Sequence, residues 1–295
     1  MQNFRTDMAV ERRDLYRNAN KLEDEIKGIE CSEQLIDDIV ITTVEILDEE
    51  GEKALEKKKG TYITIDTKKI NNISEEKEEV IISTFSKEIL KIVEKHVKKE
   101  DEILIIGLGN LHSTPDALGS RVVENIEITR HIKIYLPQYI DKNARSVCAI
   151  SPGVLGTTGI ESFEIVKGIV DNIKPSIIIV IDSLCSKNIN RINKSIQIAD
   201  TGIVPGGGVG NEREALTEET LGIPVIAVGI PTVLDAATIV IDTMNICNIS
   251  IKEEEIIKTM ELNNFNFIVT PKEIDELIEN MSNIISEGIN RIIIS

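Results

Sequence analysis

SIIIVIDSLCSKNINR, residues 176–191, opens with an almost unbroken aliphatic run and ends that run on an acid, Asp182. A run without polar alternation is what a parallel strand covered on both faces requires. ILIIGLGNLHSTPDALGSRVVENI, residues 103–126, repeats the plan: an aliphatic strand, a Gly-rich turn at Gly107-Leu108-Gly109-Asn110, and a helix opening near Pro115 and Asp116. Working outward, further strands are expected over 38–47, 146–150 and 224–228, and helices over 74–98, 160–173 and 271–289. The last helix begins with Pro and an acidic first turn, a common helix start. Strands alternating with helices predict an α/β fold, a three-layer sandwich with a mostly parallel central sheet of the phosphorylase/hydrolase-like kind. The first hundred residues are more polar and are expected to decorate that sheet, with 49–80 as a peripheral sub-region. No fixed-period repeat or low-complexity linker divides the chain.

The chain has 295 residues, 41% hydrophobic and 28% charged, enough to bury a substantial core. Its formal net charge of −17 repels a phosphate backbone and argues against direct nucleic-acid binding. No apolar run reaches the ~20 residues of a spanning helix, and MQNFRTDMAVERRD at the start has no apolar signal region. No membrane association and a cytoplasmic location are therefore expected. Cys31, Cys148, Cys185 and Cys247 lie far apart, without zinc-ligand spacing, and read as reduced thiols. With 3% aromatics the core must be packed by Ile, Val and Leu.

Three readings of the chemistry stay open on the residues alone. Asp116 sits where a helix start favours an acid for its dipole, and Asp182 where a turn former is ordinary. Two acids each ending a central strand can also meet, since functional groups of such sheets collect at strand ends. Two close carboxyls share a proton, and one can then take a proton from water, as in acid proteases. Gly107, Gly109 and Asn110 in the first turn, and Gly206, Gly207 and Gly208 before a helix expected near Asn211, could admit a substrate backbone or cradle a phosphate. The later cluster lacks the phosphate-loop Lys. His96, His112 and His131 show no metal-ligand spacing, so neither a metal nor another cofactor is expected; a Cys185–His112 nucleophile pair is conceivable.

Motifs along nearly the whole chain resemble the germination protease family, endopeptidases that degrade small acid-soluble spore proteins. They are RTDMAVE at 5–11, GLGN at 107–110, TPDALG at 114–119, ISPGVLGTTGIE at 150–161, IDSL at 181–184, ADTGIVPGGGVGN at 199–211, GIPVIAVGIPTVLDAATI at 222–239 and FIVTPKEID at 267–275. The resemblance implies a catalytic pair at Asp116 and Asp182. It also implies a precursor that cuts itself between Asp7 and Met8, leaving a pro-segment of residues 1–7 and a single peptidase domain of 8–295. Spore-protein substrates, a homotetramer and a forespore or spore-core setting come with it. Ser120 stands where the family commonly has Pro, and Ser183 and Cys185 where it is Ala-rich. A more distant likeness, to hydrogenase maturation peptidases, implies a metal-dependent processing peptidase, although the late His ligand of that group has no counterpart after His131.

Overall fold

The computed structural model describes residues 5–68, 73–210, 213–265 and 267–294. Nine strands form one sheet among these residues: β1 Ile29–Ile36, β2 Ile39–Ile46, β3 Gly60–Asp66, β4 Glu102–Gly107, β5 Ser146–Ile150, β6 Ile177–Cys185, β7 Ser195–Ala199, β8 Val225–Asp235 and β9 Ile268–Val269. Their order is β1-β2-β3-β7-β8-β6-β4-β5, with β9 on the end of β8. Helices α1 Ala9–Asn20, α2 Glu49–Leu55, α3 Glu75–His96, α4 Leu118–Glu124, α5 Arg130–Tyr135 and α6 Leu155–Thr158 precede α7 Ser162–Ile173, α8 Glu218–Leu221, α9 Ala236–Ile246, α10 Glu253–Leu262 and α11 Ile274–Ile294.

The sheet is the middle of three layers. On β6, Ile177, Ile179 and Ile181 face a core built with α3, α4 and α11, while Ile178 and Val180 face a second core under α1, α2 and α7. All five are fully buried, so every position of the run must be apolar, and that is why the run does not alternate. β4 obeys the same rule from Ile103 to Ile106.

The sheet divides by strand direction. β5, β4, β6 and β8 run parallel, whereas the pairings of β8 with β7, β7 with β3, β3 with β2 and β2 with β1 are antiparallel. The expected mostly parallel sheet is carried by β5, β4, β6 and β8, and antiparallel pairings extend it into a mixed one. Residues 29–66 supply three strands of the other half instead of an appendage, and β3, inside the stretch 49–80, is bonded to β2 on one side and β7 on the other. Among these three strands the exposed positions fall on the outer strand β1, where an unpaired edge needs polar cover, and none on β2 or β3. The helix expected near Asn211 starts at Glu218; Gly207–Val209 form a single tight turn, and Asn211 itself lies outside the described residues.

Candidate active site

β4 and β6 are neighbours, yet the chain leaves β4 through α4 on one face of the sheet and returns to β6 through α7 on the other. Such a reversal opens a crevice at the carboxyl ends of the two strands. The GLGN turn makes the first wall. Gly109 has φ +101°, and a Cβ on it would stand 1.9 Å from the Asp116 carbonyl oxygen, so only glycine lets the turn close. That closure aims Asn110 N–H at Asp116 Oδ2, 2.9 Å away. Thr232 on β8 donates to Pro115 O at 2.7 Å and ties the Asp116 loop to the sheet. Gly107 has another use: a Cβ there would meet Gly119 O at 2.0 Å, so it lets α4 lie on the strand end and does not line the crevice.

Asp182 enters from the opposite wall. It follows Val180 by two positions on β6, so it points to the α1 side of the sheet. It is 6% exposed, and its Oδ1 accepts from Ser183 N–H at 2.8 Å. Burial, and then the negative charge of Asp116, raise its pKa well above the ordinary Asp range. Burial raises Asp116 as well, opposed by the Asn110 hydrogen bond. Both acids line one cavity of about 610 Å³ with Gly109, Asn110, Gly206 and Gly208.

The chain's own N-terminal segment forms part of the cavity wall, with Asp7 among the lining residues. Past a bulge between Leu184 and Cys185, the Cys185 carbonyl accepts Asp7 N–H at 2.9 Å and its N–H donates to Asp7 Oδ2 at 2.8 Å. Gly208 closes on the same carboxyl, where a Cβ would stand 1.9 Å from Asp7 Oδ2; Gly207 lies farther off. Burial raises the Asp7 pKa against the pull of Lys57 and Arg12. Met8 is fully buried and packs with Val10, Leu184 and Ile203. Gln197 on β7 donates from Nε2 to Asp7 O at 3.2 Å and accepts Ala9 N–H on Oε1 at 2.7 Å. Farther along, Glu11 is 4% exposed and accepts from Thr6 Oγ1 and Ser186 Oγ, each at 2.6 Å, and from Lys187 N–H at 2.7 Å.

The chemistry that this arrangement supports is proton transfer between carboxyls and water beside a pinned peptide bond. The Cys185 thiol is pushed up to about 12 by burial, which keeps it protonated and unsuited to nucleophilic attack; its backbone does the binding. His112 is exposed and outside the cavity lining. Among the described residues no group of three His, Cys, Asp or Glu side chains could hold a metal ion. No helix among them is long and apolar enough to cross a membrane. Gln197 escapes the sequence reading, because Ser195-Ile196-Gln197-Ile198-Ala199 alternates like a half-exposed strand. The structure instead buries Ser195 and Gln197.

Comparison with known proteins gives one family. Residues 6–254 match the germination protease family. The germination protease of Clostridium acetobutylicum is 44% identical over 98% of this chain and 95% of its own length. That of Caldanaerobacter subterraneus subsp. tengcongensis is 45% identical over 97% and 93%. That of Clostridium tetani is 44% identical over 97% and 94%. The crystal structure of the [NiFe] hydrogenase maturation protease HycI from Thermococcus kodakarensis aligns with 67% of this chain and 97% of that one. At a TM-score of 0.32 and 17% identity that likeness is too slight to bear on either fold or chemistry.

Proposed function

The chain belongs to the germination protease family, and from that premise we propose that it is an acid-type endopeptidase made as a precursor. It cuts its own Asp7–Met8 bond and then starts the breakdown of small acid-soluble spore proteins during germination. One observation carries this reading: Asp7 lies in the cavity that holds Asp116 and Asp182, its carboxyl and its carbonyl both hydrogen-bonded. Asp182, the more deeply buried acid, holds the shared proton, and Asp116, steadied by Asn110 N–H, is the ionised partner.

Asp116 takes a proton from a water molecule whose oxygen attacks the Asp7 carbonyl carbon, while Asp182 gives its proton to the carbonyl oxygen. Collapse returns that proton to Asp182, breaks the C–N bond, and passes the proton on Asp116 to the Met8 nitrogen. One water is consumed, and an acid and an amine are formed. A spore protein carrying an acid, an apolar residue, Ala and a later Glu would occupy the same places once residues 1–7 leave and Met8, Ala9 and Glu11 withdraw from theirs; residues 1–4 lie outside the described part of the chain. The setting is the cytoplasm of the forespore or spore core, and the assembly a homotetramer.

The test uses the form beginning at Met8 with a small acid-soluble spore protein. Asp116→Asn and Asp182→Asn are each expected to cut it about 100- to 10,000-fold more slowly. A chelator is expected to leave the unsubstituted enzyme unchanged. Full activity in either variant contradicts the pair, and loss of activity with chelator favours a metal-dependent reaction.

A further inference from the structure

We infer that Gln197 is a catalytic residue of this site, the donor that stabilises the negative charge building on the carbonyl oxygen of the bond to be cut before the proton from Asp182 reaches it. The inference rests on the reading that Asp7–Met8 is that bond.

The geometry begins with register. Asp182 on β6 is paired with Gly229 on β8, and Gly229 is paired with Gln197 on β7. An acid and an amide thus stand in line across three adjacent strands, about 10 Å apart at the backbone for strands spaced ~4.8 Å. Gln197 follows the same parity as Ala199, which belongs to the core under α1, so both side chains point to the face where Asp7 lies. Gly229 between them carries no side chain, and a Cβ there would meet Leu184 at 2.5 Å. Leu184 fills the gap and supports Met8, while the peptide passes above.

The partners fix which way round the Gln197 amide lies. Ala9 N–H can only donate, so the atom 2.7 Å from it is the amide oxygen; Asp7 O can only accept, so the atom 3.2 Å from it is the NH₂. The side chain therefore spans Met8, holding the Asp7 carbonyl on one side of it and the Ala9 N–H on the other. Gln197 is 7% exposed, so little water competes for that NH₂. A donor whose length is 3.2 Å to a resting carbonyl shortens its bond as negative charge builds on the oxygen, which gives the transition state more than the ground state. Being neutral, the amide does this without competing for the proton held by Asp182. In the reaction above it changes no covalent bond of its own: it keeps both protons while the carbonyl oxygen takes up and returns the one from Asp182.

The test compares Gln197→Glu and Gln197→Ala in the full chain and in the form starting at Met8. Mass spectrometry follows the appearance of the Met8 terminus, and a peptide containing Thr-Asp-Met-Ala-Val-Glu gives kcat and KM. Gln197→Glu keeps the length and the acceptor for Ala9 but replaces the donor with an anion. Its kcat at neutral pH is expected to fall about 100- to 1,000-fold, with KM changed only a few-fold. Activity should return on acidification relative to the unsubstituted chain, as the new carboxyl takes up a proton and can donate again. Gln197→Ala should show the loss without the recovery. A raised KM with unchanged kcat and a parallel pH profile would reduce Gln197 to a support for α1 and overturn the inference. So would cleavage of the unsubstituted chain at some other bond, even with spore-protein cleavage still dependent on Asp116 and Asp182. Full spore-protein cleavage by the Asp variants, in contrast, removes the acid pair itself. Thermal melting of each variant separates loss of fold from loss of chemistry.

Discussion

The parallel half of the sheet and the antiparallel half divide the labour. β4 and β6, buried on both faces, bring the two acids to one crevice, while β7 contributes the neutral amide that spans the peptide lying across them. Acids can be driven to raised pKa values where the surrounding strands are aliphatic and dry; a clamp for a peptide needs a strand with a polar residue facing the same trough. The junction is β8, parallel to one neighbour and antiparallel to the other, with Gly229 under the peptide.

The largest effect on the fold is expected in the parallel half. Ile179→Ala, at a fully buried position facing the α3 and α11 core, should cost about 2 to 5 kcal/mol in denaturant unfolding. Leu35→Ala on outer strand β1, where Leu35 is 70% exposed, should stay within about 0.5 kcal/mol. Similar costs at the two positions would mean that the antiparallel edge is buried in an assembly.

Next comes the fit of the peptide against the glycine loop. Gly208→Ala puts a Cβ 1.9 Å from Asp7 Oδ2 and 2.7 Å from Cys185 Cβ, and the crowding should cost about 1 to 3 kcal/mol of docking. Appearance of the Met8 terminus should slow by roughly tenfold or more, since each ~1.4 kcal/mol is a factor of ten. An unchanged rate would separate the loop from the peptide site.

The smallest effect is the titration of Asp7. Its pKa is raised in the docked segment, by burial first, with Lys57 and Arg12 opposing and Glu11 assisting. A raised docked pKa means that the docked form binds more protons. Docking is therefore firmest below the ordinary value of 3.8 and weakens as pH rises through the docked pKa. The methyl resonance of Met8, followed against pH in an Asp116→Asn chain that does not process itself, should move from its buried position as pH rises. Asp7→Asn should flatten that movement; an unaltered profile assigns the titration to Asp182 or another acid.

Legibility in the sequence followed burial. Ile103–Ile106 and Ile177–Ile181 are covered on both faces, so their apolar runs announce strands, and the expected helices over 74–98 and 160–173 match α3 and α7 within two residues at each end. β3 and β7 were hidden because Thr64, Ser195 and Gln197 are polar yet buried, which mimics the alternation of an exposed strand. Asp116 and Asp182 could be singled out by position, but Gln197 could not: its partner is the backbone of residues 7 and 9, nearly two hundred positions away. Such a contact leaves no local spacing to read. Glu11 stood in the RTDMAVE motif, but its burial among Thr6, Ser186 and Lys187 depends on the fold.

The proposed mechanism has Asp116 and Asp182 cut the peptide bond that the fold lays beside them. N-terminal sequencing of the full chain after mild acidification, alongside Asp182→Asn treated identically, tests it most directly. A new terminus at Met8 is expected in the unsubstituted chain and an intact Met1 terminus in the variant. A Met8 terminus appearing in Asp182→Asn at the unsubstituted rate would contradict it.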